Sequence, residues 1–154
     1  MLLKAARFAA LVLASLNFGL AAAHLVEMGP KRRLSGPDWL TVQSIYTDFG
    51  KVARFTMPGA FLSELLAAVL TRRRSSAVLT GAAALGTVGT VAIWRFLNEP
   101  VNREVLAWRP DSLPPDWQQR RDQWEFAHAA SAVVHALGLG SLIAATLADS
   151  PADP

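Results

Sequence analysis

Apolar residues gather in four long runs, and polar and charged residues gather between them. The runs cover roughly residues 5–25, 52–71, 77–97 and 126–148. Each approaches the ~20 mainly apolar residues that a helix needs to cross the hydrocarbon of a bilayer. The second and third runs are joined only by Arg72-Arg73-Arg74-Ser75-Ser76. So short a turn crosses nothing, and it predicts an antiparallel hairpin. The other two connections, near 26–51 and 98–125, are long and rich in Pro, Trp and charge. With four spans, both fall on the side opposite the arginine turn. Trp39, Trp94, Trp108, Trp117 and Trp124 all lie in these connections or at their edges. An indole prefers the headgroup level, where its ring is in apolar surroundings and its N–H finds a partner. Five on one side exceed what a belt needs, which predicts a structured cap.

The cap segments also share a pattern. Gly36-Pro37-Asp38-Trp39 precedes the second span and Pro114-Pro115-Asp116-Trp117 the fourth. In each, Asp is placed to serve as N-cap of a helix that Trp opens. Asp116 with Gln119 resembles a capping box. The predicted helices therefore run over about 5–25, 39–71, 77–97 and 117–148. The fold class is all-α: a four-transmembrane-helix bundle with a polar, Trp-rich cap on one side. Residues 1–148 make a single membrane domain, and 149–154 read as a disordered polar tail. The likeness of the two halves fits an internal duplication or simply a shared way of starting helices.

Composition narrows the classes. The chain has 154 residues, 52% apolar and only 18% charged, against about a quarter in soluble domains. Its net charge of +3 comes from basic residues that flank the apolar runs and form no stripe. That pattern predicts contact with a membrane surface and no nucleic-acid partner. The absence of cysteine excludes disulfides, thiolate metal sites and cysteine nucleophiles. Lys4, Arg7, the first run and Ala21-Ala22-Ala23 also match the outline of a secretory signal, but the run serves equally as a span with partners to pack against. The N-terminus and the arginine turn share a side, which suggests that both termini are cytoplasmic in a bacterial-type inner membrane. Lys31-Arg32-Arg33 on the other side argues the opposite way.

Ionisable groups at membrane depth are costly and usually face the interior. His24, Glu64, His128 and His135 stand out. His128 and His135 are seven apart, on one helix face at about 10 Å, too far to share a metal directly. His24, Glu27 and His128 are expected to converge at the mouth of the bundle. A neutral imidazole there can accept a proton from an acidic substrate; alternatively each histidine bonds a neighbouring helix. Glu64 reads as glue between helices or as part of a proton path. Gly81, Gly86 and Gly89, with Ala82, Ala83 and Ala84, read as a close-packing seam. In Asn98-Glu99-Pro100-Val101-Asn102-Arg103-Glu104, Pro100 disfavours helix at Glu99. A turn there would aim Asn98, Asn102 and Arg103 over the mouth, where amides can donate to an oxyanion.

The four spans, the segment 98–106 and the later Trp124-x-x-x-His128 resemble the DUF1772 family of small membrane proteins, which includes the fungal anthrone oxygenases. The likeness covers nearly the whole chain in layout and two short motifs in residues. The family pattern often has an arginine three residues after the histidine; this chain has Ser131. The resemblance implies oxidation of a hydrophobic phenolic substrate by O₂ without a tightly bound cofactor or metal, and it points to Asn98, Pro100, Asn102, Trp124 and His128. On that reading His128, helped by His24 or Glu27, removes a proton. Asn98, Asn102 and Arg103 hold the anion, and Trp108 and Trp124 stack on the ring. The competing reading is a non-enzymatic subunit or binding module, able to form homo-oligomers, whose cap recognises a lipid, a quinone or a partner protein. Both readings require a chain embedded in lipid. Alkaline carbonate washing is expected to leave the protein in the membrane pellet and detergent to release it; release by carbonate would contradict the four spans.

Overall fold

The computed structural model describes residues 1–149, all of whose regular elements are helical. In chain order these are α1 (Leu2–Lys31), α2 (Gly36–Gln43), a 3₁₀ turn (Ser44–Tyr46), α3 (Thr47–Leu70), α4 (Ser76–Ile93), a π-helical stretch (Trp94–Asn98), α5 (Glu99–Val105) and α6 (Trp117–Ala148). Four continuous helical stretches, 2–31, 48–70, 76–105 and 117–148, are long and apolar enough to cross a membrane.

The distribution of side chains is that of a lipid-embedded bundle. Leu62 is 62% exposed, Leu85 73% and Leu137 68%. The interior holds mostly small and polar residues: Ala10, Ala14, Ala60, Ala67 and Ala83 beside Asn17, Glu64, Thr80 and Thr87. Water would drive the large apolar groups inward, whereas lipid tails do not. The protein is therefore a multi-pass membrane protein.

Small residues set the closest helix approach. A Cβ at Gly138 would lie 3.8 Å from Ala83 Cα, and one at Gly86 would lie 3.4 Å from Val134. Gly81 and Gly89, the other glycines of the expected seam, face open space. Polar bonds add cross-links at successive depths. Thr56 Oγ1 donates to Asn17 Oδ1 at 2.5 Å, joining α3 to α1. Thr87 Oγ1 donates to Glu64 at 2.9 Å, joining α4 to α3.

The arginine turn closes the end opposite the cap. There Asp149 accepts from Ser76 Oγ at 2.8 Å, from Arg7, and pairs with Arg74 at 3.2 Å. This carboxylate ties the end of α6 to α1 and to the start of α4. Asp149 is thus part of the bundle and not of the expected disordered tail, held by three partners, and residues 150–154 of that tail lie outside the described residues.

Several boundaries differ from the sequence reading. The predicted helix 39–71 is α2, a 3₁₀ turn and α3, and its cap is Ser35 rather than Asp38. Ser35 Oγ accepts from the Asp38 backbone N–H at 3.3 Å and donates to the Asp38 carboxylate at 2.6 Å. Asp116 does occupy the N-cap position of α6, yet its side chain makes no capping bond and pairs with Arg120 at 3.4 Å. The two halves therefore start their helices differently. Pro100 does not end the third span. Glu99 is helical (φ −62°, ψ −39°), and its N–H bonds Trp94 O five residues back. This wider turn lets the chain pass a residue that lacks an N–H and crowds the preceding turn. The helix consequently runs on to Val105.

Ser76 and Arg7 hold the Asp149 carboxyl below its usual value of 3.8. A depressed carboxylate stabilises the fold above its unfolded-state value, and that stability is lost as pH falls through the folded value. Asp149→Asn should therefore lower the melting temperature in detergent at neutral pH. The gap to the parent protein should close as pH falls below about 3.8. Superimposable melting curves at neutral pH would contradict the clamp.

Candidate functional site

The mouth of the bundle is built where α1 and α6 outrun the lipid. At 30 residues α1 is about 45 Å long, against about 30 Å of hydrocarbon. Its last turns carry His24, Glu27 and Lys31. The α2–α3 junction supplies Tyr46 and Phe49, and α6 supplies Trp124, Glu125 and His128.

These side chains form one cluster. The rings of His24 and His128 are 4.1 Å apart, and Trp124 lies 4.1 Å from His128 and 5.0 Å from His24. Tyr46 and Phe49 close the other side of His24 at 4.5 and 5.6 Å. His24 is 4% exposed, whereas His128 is only half-buried. His24 Nδ1 is buried without a hydrogen-bond partner. An unpartnered ring nitrogen in a buried site is costly and marks a place where a proton or polar ligand can be received.

Charge sits behind the rings. Lys31 Nζ lies 3.4 Å from Glu125 and 3.7 Å from Glu27, over the faces of Tyr46 (4.7 Å) and Trp124 (4.8 Å). Lys31 is 3% exposed and Glu125 fully buried. The sequence reading placed Lys31 on the membrane surface, and here it is corrected: only Arg32 and Arg33 of that basic run are exposed. The Tyr46 hydroxyl donates to Glu27. Burial and then that bond raise the hydroxyl well above its usual range, so it stays protonated.

The remaining predicted residues divide. Asn98 is buried and donates from Nδ2 to the Trp124 carbonyl at 3.1 Å. Asn102 Oδ1 accepts from Trp124 Nε1 at 2.8 Å. Both amides thus position Trp124 from the π stretch and α5, and Gln123 Nε2 reinforces the joint by donating to Leu97 O at 2.9 Å. Arg103 is exposed and bound to Glu99. Trp108 packs on Trp39 at 6.2 Å, and Trp117 lies 6.4 Å from Trp39. That second aromatic group closes the cap beside Gly36, where a Cβ would meet the flexible end of Leu113 and lie 3.1 Å from the Trp117 ring. Among the described residues no three His, Asp or Glu side chains converge to enclose a metal ion.

A family model described as "Anthrone oxygenase" matches residues 48–141, more than half of the chain. The chain belongs to the anthrone oxygenase family. No curated protein and no solved structure matches it. The stretch matched to the anthrone oxygenase family contains Phe49, Asn98, Asn102, Trp124, Glu125 and His128. His24, Glu27, Lys31 and Tyr46 lie upstream of it. Sequence reasoning missed Lys31, Tyr46, Phe49 and Glu125. The available signal was spacing: Glu27 and Lys31 follow His24 at intervals of three and four, one face of α1.

A buried pair tolerates loss of one charge poorly, because the other is left uncompensated. Lys31→Met, which strips Glu125 of its cation, should destabilise the protein by about 3–5 kcal/mol; Glu125→Gln, which leaves Lys31 its Glu27 partner, should cost less. The double variant should recover most of that loss in detergent unfolding experiments; additive losses would mean that the two side chains are not coupled.

Proposed function

We propose that this protein is an O₂-dependent oxidoreductase acting on a hydrophobic aromatic ketone of the anthrone type. One observation carries the reading: two imidazoles in ring contact at the bundle mouth, one with a buried unpartnered nitrogen, enclosed by Trp124, Tyr46 and Phe49. The family membership supports the reaction type.

His128, the more accessible imidazole, removes a proton from the acidic methylene flanked by two aromatic rings. His24 behind it shares the charge. The resulting carbanion is electron-rich and reacts with O₂ at the same carbon. Loss of water then leaves a carbonyl. In balance, the methylene carbon loses two hydrogens and gains one oxygen atom, and the second oxygen leaves as water. General-base catalysis of this kind typically contributes 10²–10⁴-fold. Trp124, fixed by Asn98 and Asn102, packs against both imidazoles and holds His128 in place. A planar apolar substrate partitions into the bilayer and approaches the mouth from lipid.

The second reading, a binding module for a lipid, quinone or partner protein, draws on the tightness of the same cluster. Trp124 is 4% exposed, and Lys31 already fills the space between two carboxylates. Turnover separates the two readings. With an anthrone as probe and O₂ uptake as readout, His128→Ala in membrane vesicles should lose about 10²–10⁴-fold in rate. Undiminished uptake by a folded His128→Ala protein would overturn the mechanism. Tight anthrone binding without oxidation by the parent protein would support the binding module instead.

A further inference from the structure

Glu64 lies in the C-terminal half of α3, 1% exposed, with the Thr87 hydroxyl as its polar partner and no ion pair. Opposite it, His135 on α6 makes no hydrogen bond or ion pair with the described residues. Both line a small, partly open cavity between the helices, walled by Ala14, Ala83, Thr87 and Gly138, with room for about one water molecule. Every span contributes to this cavity, and Glu64 and His135 are the titratable groups that line it: α1 brings Ala14, α4 brings Ala83 and Thr87, and α6 adds Val134, Gly138 and Leu139.

A carboxyl and an imidazole held without charged partners at this depth are expensive, and such groups mark ion and proton pathways. The cavity is polar on two sides and of the size that a bridging water needs. We propose that Glu64 and His135 form a mid-membrane proton-binding site in which one water carries a proton between carboxyl and imidazole. The site lies apart from the mouth and stands independently of the oxidation reaction. It is also aligned with the mouth. His135, Ser131 and His128 follow at intervals of four and three along one face of α6, and Ser131 is buried. A buried hydroxyl thus stands one turn from each histidine, between the inner site and the outer imidazole pair.

The test is an infrared pH titration of the full chain in lipid vesicles, following the carbonyl band of protonated carboxyl groups. Glu64→Gln keeps the acceptor for Thr87 and assigns the band. The parent protein should show a band that disappears in Glu64→Gln and whose amplitude changes with pH. In His135→Gln its midpoint should move by at least one pH unit, a tenfold change in proton affinity, because the second proton acceptor is gone. A Glu64 band that is absent throughout, present unchanged throughout, or unmoved in its midpoint by His135→Gln would overturn the site. None of these outcomes depends on whether His128 supports oxidation.

Discussion

Lipid on the outside is the constraint that orders this molecule. Hydrocarbon offers no hydrogen bonds, so polar groups within the spans turn to the protein, to their own helix as Ser63 and Thr80 do, or to a neighbouring one as Thr56 and Thr87 do. It also removes the drive to bury leucine, so large side chains point outward and alanine, glycine and threonine take the centre. The result is a thin core at Ala10, Ala14, Ala83 and Leu142, crossed by polar links at several depths. Bonds of this kind contribute about 0.6 kcal/mol each on average. Their larger effect is on register: Asn17 with Thr56, Glu64 with Thr87 and Asp149 with Ser76 each fix one helix against another.

The candidate site follows from helix length. Because α1 and α6 exceed the thickness of hydrocarbon, their ends meet in a region where charge is tolerated. The α2–α3 junction closes over those ends with Tyr46 and Phe49. The π stretch before Pro100 carries Asn98 and Asn102 to Trp124 without breaking the helix. A buried ammonium between two carboxylates then stands behind the imidazoles. Family likeness covers α3 through most of α6, while α1 supplies half of the ionisable groups. Whatever chemistry the mouth performs therefore needs the first span in place as much as the matched region.

Much of this was legible from residue order. Four apolar runs of sufficient length fix four spans, and the start of α6 at Trp117 is signalled by the Pro-Pro-Asp before it. His24 and His128 were placed together because both sit near the cap-side ends of spans that must lie at similar depth. Caps were less legible: Ser35 displaced Asp38, and Asp116 turned to Arg120, since several short polar side chains compete for the same free N–H groups. Pro100 misled for a related reason. A proline disfavours helix at the preceding residue, but a widened turn relieves the crowding, and sequence does not show which response the surroundings favour.

By itself, then, the order of residues determined the membrane class, the number of spans, the hairpin at the arginine turn and the side on which the cap forms. These depend on transfer of whole segments into hydrocarbon, a sum over about 20 residues that no single contact overturns. Tertiary structure decided which charges are buried. Lys31 belongs to a basic run that reads as surface, yet it turns inward because Glu125, 94 positions away, offers it a carboxylate between two aromatic faces. Such a choice rests on a few ångströms of approach between helices distant in sequence, and only the packed bundle sets that distance.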